Sequence, residues 1–293
     1  MIAVVVPTVD YRKEVFDVFM ERWQPLFDKH DVWFVKVLDG DKPMVYSSHL
    51  DEWANFDVQT IMGKYGDCLT NMNGGIRNLG FAYVAKYLPD VEYIITLDDD
   101  EYPIGDPIQD HVDALNMRVP ISWMSTASEY MRGFPYEVRD EAQVVLSHGV
   151  WEGVADWDAV TQLAIGNRPV TFPKMPIPKG VLFPCCAMNI AFRRELLPYI
   201  FQAPQVLEMR IGRMDDILAG ITAKRAIDEN GWAAVTGYAR VHHDRASDVY
   251  KNLELEANGY KLYEGFWKGE DDHPYFDIYK EKLQTWQDFL KQI

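Results

Sequence analysis

The sequence predicts an α/β fold whose chemistry sits at the strand ends. Three observations lead there. Residues 2–6, 32–38 and 93–97 are short apolar, β-branched runs of the kind that form buried strands. Between the first two, Val15, Phe16, Val18, Phe19 and Trp23 fall at helical spacing, which makes a β-α-β start. Each run also empties into polar residues, and in open α/β sheets ligands bind at the carboxyl ends of strands.

The first strand stops at Pro7-Thr8, a helix follows over 11–23, and the second strand closes on Asp39-Gly40-Asp41. Asp39 reads equally as a turn residue or as a group holding a ribose or base edge. This start suggests a nucleotide-binding half-sheet. The chain has no G-x-G-x-x-G, so an ordinary dinucleotide site is disfavoured. Asn73-Gly74-Gly75 opens the next helix, with Ile76, Leu79, Tyr83, Val84, Tyr87 and Leu88 on one face and Pro89 at its end. Arg77, in the first turn, opposes the helix dipole, so it calls for an anionic partner, either a phosphate or one of the many acids.

The strand at 93–97 runs straight into Asp98, Asp99, Asp100 and Glu101. Neighbouring carboxylates repel and are costly to desolvate. A divalent cation with a phosphate-bearing ligand resolves the conflict, because hard cations prefer carboxylate oxygens. A solvated acidic turn is the plain alternative.

Further along, a strand is expected over 122–126. Residues 130–139, 147–151 and 155–158 interleave aromatic rings with Arg, His and Asp, as a binding surface does. Residues 166–178 read as a loop, and 179–192 as two strands broken by Pro184. A helix starts at Gly212-Arg213-Met214-Asp215-Asp216 and stops at Asn230-Gly231; its acids suit the dipole and read as caps as readily as functional groups. A strand over 233–236 leads to His242-His243, placed like a late metal ligand joining an earlier carboxylate pair, or like a paired surface histidine. The expectation is one domain over 1–293, with a helical tail at 260–293 and a helix over 276–289.

Composition narrows the partners. Acids outnumber bases 45 to 29, and a net charge of −16 repels polyanions, so broad nucleic-acid binding is excluded. No apolar run approaches the roughly 20 residues that span a bilayer. The first residues lack the basic start of a signal peptide. Cys68, Cys185 and Cys186 have no C-x-x-C spacing, and the adjacent pair reads as small core hydrophobes. A soluble, reduced, cytoplasmic protein is expected.

Longer motifs carry a family resemblance. They are WQPLF with LDGD, IRNLGFAYV leading into ITLDDD, MRGFPYEVR, SHGVWEGVADWDAVTQ, KGVLFPCCAMNIAF, GRMDDILAG and HHDRAS. In this order, from VVVPT to Phe266-Trp267, the chain resembles the reversibly glycosylated polypeptides. That family includes UDP-arabinopyranose mutases and is similar to glycosyltransferases of the GT-A fold. The resemblance implies a GT-A-like, Rossmann-like α/β fold with a mixed, mostly parallel central sheet and a helical tail.

It also implies roles. Asp98, Asp99 and Asp100 match the motif that binds a divalent metal, Mn²⁺ or Mg²⁺, holding the diphosphate of a UDP-sugar. His243 matches a third metal ligand. Arg132 matches the arginine that becomes reversibly glycosylated, and Arg139 a second arginine needed for activity. Asp215 and Asp216 match paired acids facing the sugar, while Pro7, Thr8 and Asp39 cradle uridine. Two departures stand out: Glu101 replaces an expected uncharged residue, and the plant members run further at the C-terminus.

The implied activity is interconversion of pyranose and furanose forms of a UDP-pentose, with UDP-arabinose the expected substrate. A guanidinium is protonated and a poor nucleophile. Sugar capture by Arg132 would therefore need a carboxylate such as Glu137, Asp156, Asp158 or Asp215. The rivals are a glycosyltransferase with a separate acceptor and a non-catalytic UDP-sugar-binding subunit; assembly into a homo-oligomer is left open.

Overall fold

Strand β1 (Ile2–Val9) lies mid-sheet, and residues Ala3, Val4, Val5 and Val6 are all fully buried. Ala3 and Val5 face one apolar cluster while Val4 and Val6 face another, so the continuous apolar run reflects a strand covered on both sides. The computed structural model describes residues 1–49, 52–124, 130–139, 141–166, 173–244 and 247–293, the side chains of 52, 53 and 207 excepted.

β1 pairs in parallel with β2 (Trp33–Asp39) and with β5 (Tyr93–Leu97). Antiparallel β3 (Met44–His49) and β4 (Glu52–Asp57) extend the β2 edge. On the other side β10 (Asn189–Arg193) runs antiparallel between β5 and β8 (Ala142–Gly153). β11 (Ala233–His243) is parallel to β8, and β6 (Glu101–Pro103) and β9 (Met175–Ile177) add to it antiparallel. Short β7 (Arg118–Val119) pairs with the start of β8. Between β2 and β11 only β10 opposes the common direction, so the central sheet is mixed and mostly parallel.

Helix α1 (Lys13–His30) covers one face through Phe16, Phe19, Trp23 and Phe27, which stack on one another and on Phe34; α4 (Pro107–Leu115) lies beside it. The opposite face carries α2 (Val58–Met62), α3 (Arg77–Tyr87) and α6 (Asp215–Glu229). Short α5 (Ala159–Ile165) meets α7 (Val249–Glu256), and α8 (Gly259–Phe266) leads to α9 (Pro274–Leu290). The tail is docked: Trp286 donates its indole N–H to the Leu197 carbonyl at 2.8 Å, and Tyr275 its hydroxyl to Pro204 O at 2.8 Å.

The reversed strand β10 is anchored by a buried network. His111 Nε2–H donates to Asn189 Oδ1 at 2.8 Å, and Asn189 Nδ2 donates to the Val150 carbonyl at 3.1 Å. Burial lowers the His111 pKa to about 4, so the ring is neutral and accepts from the Ser147 hydroxyl through Nδ1.

Several boundaries differ from the sequence expectation. The β5 ladder ends at Val5, and β2 alone carries β1 past Pro7 to Val9. Helix α1 continues through Pro25 to His30, because the ring spacing Phe19, Trp23, Phe27 extends the buried stripe. No strand forms over 122–124, where Trp123 and Met124 are exposed and have no sheet neighbour; 125 and 126 lie outside the described residues. Of the two strands expected over 179–192 only β10 exists. The segment before it is held instead against α6, whose Gly220 admits the Cys185 backbone. Strand β9 falls inside the expected loop, of which 167–172 lie outside the described residues. The runs at 233–236 and 241–243 join into one β11 with a register shift between them.

Gly80 is where α3 meets the sheet: a Cβ there would lie 2.5 Å from Val5 Cγ1 and 2.8 Å from Val37 Cγ2. Both neighbours are fully buried β-branched residues whose χ1 is restricted. Gly80→Ala is expected to destabilise by about 1–3 kcal/mol through overpacking, read as a lower urea midpoint at unchanged slope. A variant as stable as wild type would contradict this packing.

Candidate active site

A cavity of about 610 Å³ opens at the carboxyl ends of β1, β2 and β5. Pro7, Thr8, Asp39, Arg77, Asp98, Asp99, Asp215 and Asp216 all line it. Asp39 is shaped by its loop: its Oδ1 accepts from the backbone N–H of Gly40 at 2.8 Å and of Met72 at 2.9 Å. Desolvation still raises its pKa.

Every aspartate of the acidic mouth has a cationic partner. Arg77, the buried first residue of α3, pairs with Asp98 and donates Nε–H to Thr96 Oγ1 at 3.2 Å. Asp99 accepts from the Thr8 hydroxyl at 2.6 Å on Oδ2 and meets Arg12 Nη2 at 2.8 Å on Oδ1. The same nitrogen reaches Asp100 Oδ2 at 2.7 Å. Burial nonetheless raises the Asp99 pKa, with Thr8 and Arg12 working against the rise.

Glu101 is fully buried beneath Trp23, whose indole N–H donates to its carbonyl at 2.8 Å. Its Oε2 accepts from the Asp98 backbone at 2.8 Å and its Oε1 has no partner. Desolvation, and then repulsion from Asp100, raise its pKa well above normal. His243 arrives from the end of β11. Its Nδ1–H donates to the Val154 carbonyl at 3.0 Å, which leaves the Nε2 lone pair 3.9 Å from Asp100 Oδ1. Carboxylate oxygens beside an imidazole nitrogen whose tautomer is fixed by a carbonyl suit a divalent cation. His242 faces away, bonded to Asp244 at 2.6 Å.

The first turn of α6 forms another wall of the cavity. Asp215 packs onto Gly74, where a Cβ would sit 1.8 Å from its Oδ2. Asp216 Oδ2 accepts from the Ala187 backbone at 3.1 Å. Burial raises both pKa values, that of Asp216 to about 7 with repulsion from Asp215 and Asp156. Asp156, Cys186 and Asp216 each offer one ligand atom, all within 4.8 Å of one another. Burial holds the Cys186 thiol well above its usual pKa, so it is neutral there.

Arg132 is exposed and Arg139 half-buried, and neither lines the cavity. Arg139 donates to Phe134 O at 3.1 Å and lies over the rings of Tyr136, at 3.8 Å, and Tyr130, at 4.7 Å. Sequence reasoning missed Arg12, Cys186 and the Arg213–Glu256 pair at 2.8 Å, all of which line the cavity. A basic residue directly after a strand mouth was the only available signal for Arg12.

The family model described as "Reversibly glycosylated polypeptide" matches residues 1–277. The chain belongs to this family. Relatives include UDP-arabinopyranose mutase 3 of Arabidopsis thaliana, 32% identical over 280 residues, covering 88% of this chain and 74% of the relative. UDP-arabinopyranose mutase 1 of the same plant is 30% identical over 296 residues, covering 93% and 80%. Among solved structures, the catalytic domain of Drosophila β1,4-galactosyltransferase 7 with xylobiose has a TM-score of 0.36 at 12% identity, covering 80% of this chain and 63% of that one. No helix of the chain, among the described residues, is long and apolar enough to cross a membrane.

An acid held at about 7 when its ordinary value is 3.8 costs stability wherever it must ionise in the folded state. The folded form binds the proton more tightly than the unfolded chain, so stability falls as pH rises from the ordinary value of 3.8, and the cost is complete once pH passes about 7. Asp216→Asn is expected to stabilise the protein by about 2 kcal/mol near pH ~8, with the gain shrinking as pH falls toward the ordinary carboxylate value. Thermal melts across pH test this; a variant no more stable than wild type near pH ~8 contradicts the desolvated-acid account.

Proposed function

We propose that the protein is a UDP-arabinopyranose mutase-like isomerase that interconverts pyranose and furanose forms of a UDP-pentose. The observation that carries this is the convergence of Pro7, Thr8 and Asp39, of Asp98 and Asp99 from the acidic mouth, and of the protonatable carboxylate of Asp216 on one cavity. The relatives named above support the choice of sugar.

Pro7, Thr8 and Asp39 hold the uridine, and Asp98, Asp99, Asp100 and His243 hold a divalent metal, Mn²⁺ or Mg²⁺. When bound, that metal neutralises charge on the departing diphosphate. The bond between the anomeric carbon and UDP breaks, and the carboxylates of Asp215 and Asp216 stabilise the positive sugar carbon. A second sugar hydroxyl then loses its proton and closes on that carbon, the bond from that carbon to the old ring oxygen breaks, and the freed oxygen takes up a proton. An acid near pKa 7 is suited to both transfers, and Asp216 fills that role. UDP then reattaches. Arg132 is the position for self-glycosylation; being exposed, it acts on the sugar only if its segment reaches the cavity.

Incubating UDP-arabinofuranose with the protein and Mn²⁺ is expected to yield UDP-arabinopyranose by chromatography, with at least ~10²-fold loss in the Asp98→Ala/Asp100→Ala variant. Free UDP and free sugar as the only products would favour a transferase lacking its acceptor. Unchanged substrate with both nucleotide sugars would overturn the proposal.

A further inference from the structure

We propose that Arg12 is a built-in counter-ion of the acidic mouth that makes the dication and the nucleotide diphosphate bind together rather than singly. This rests on the metal–nucleotide reading above. Arg12 ends the three-residue turn Asp10–Arg12 that directly follows β1, and it lines the cavity beside Thr8.

Its grip is through one nitrogen. Nη2 bridges Asp99 Oδ1 at 2.8 Å and Asp100 Oδ2 at 2.7 Å, while Nε is buried without an acceptor. A guanidinium locked by its full fork would satisfy that N–H as well. The other oxygen of Asp99 is already taken by the Thr8 hydroxyl. A cation that binds Asp99 and Asp100 therefore competes with Arg12 for Asp99 Oδ1 and, even when it takes the Asp100 Oδ1 that faces His243, shares that carboxylate with the guanidinium.

Charge decides the outcome of that competition. Arg77 stays paired with Asp98, so the three aspartates already face two arginines. A dication arriving alone adds positive charge and displaces a guanidinium that remains close by. A diphosphate arriving alone meets an acidic mouth. Arriving together, each relieves the other: the diphosphate meets the metal and gives the freed Arg12 phosphate oxygens, which its fork suits. The coupling between metal and nucleotide then resides largely in one side chain.

Calorimetric titration of Mn²⁺ into wild type, Arg12→Gln and Arg12→Met, with and without UDP, tests this. Circular dichroism and thermal melts report the fold of each variant. Without UDP, both neutral variants are expected to bind Mn²⁺ roughly tenfold more tightly than wild type, the worth of a partly buried ion pair. The enhancement of Mn²⁺ binding by UDP is expected to shrink by a similar factor in both. Arg12→Lys, which keeps the charge, should retain the weak Mn²⁺ binding of wild type. If the folded variants and wild type bind Mn²⁺ alone equally, yet all bind it with UDP, the role of Arg12 is overturned and the metal–nucleotide reading survives. If no form binds Mn²⁺ even with UDP, both fall.

Discussion

Crowding the carboxylates of Asp98, Asp99, Asp100 and Glu101 at one strand end is tolerable only because donors from two other segments converge there, with a histidine beside them. Thr8 lies near the end of β1 and Arg12 just past it, Arg77 starts α3, and His243 ends β11. A buried carboxylate without such partners is strongly unfavourable. The mouth therefore couples the register of β1 on β5 to the position of α3 and to the far edge of the sheet. Breaking one contact leaves an uncompensated charge for the others to absorb.

Glu101 shows how burial can override formal charge. It stands where an uncharged residue is expected, which on paper adds charge beside the site. In the fold it is enclosed under Trp23 and shifted toward its neutral form, one oxygen tied to the Asp98 backbone. The departure alters the support of the site more than its accessible charge.

The facing wall carries the opposite compromise. The first turn of α6 favours anions through its dipole, yet desolvation wins and raises Asp215 and Asp216. Glycines make the geometry possible: Gly74 lets Asp215 approach and Gly220 admits the Cys185 backbone. Stability is given up at this wall in a way that suits proton transfer.

The sequence by itself determined the elements with strong periodicity. β1, β2, β5, α3 and α9 were legible because buried strands and helices repeat their apolar residues at fixed intervals. The acidic mouth was legible because like charges in a row demand a reason. The motifs in order identified the family. Tertiary structure alone decided what faces what. Nothing local tells that Arg12 bridges Asp99 and Asp100, that His243 points its free nitrogen at Asp100, or that Cys186 sits between Asp156 and Asp216. Those contacts join residues some thirty to ninety or more positions apart. The same distance effect explains the strand expected over 179–183, which packs on α6 instead of pairing with a neighbour. Apolar content can be read along the chain, but a pKa or an ion pair depends on what the fold brings alongside.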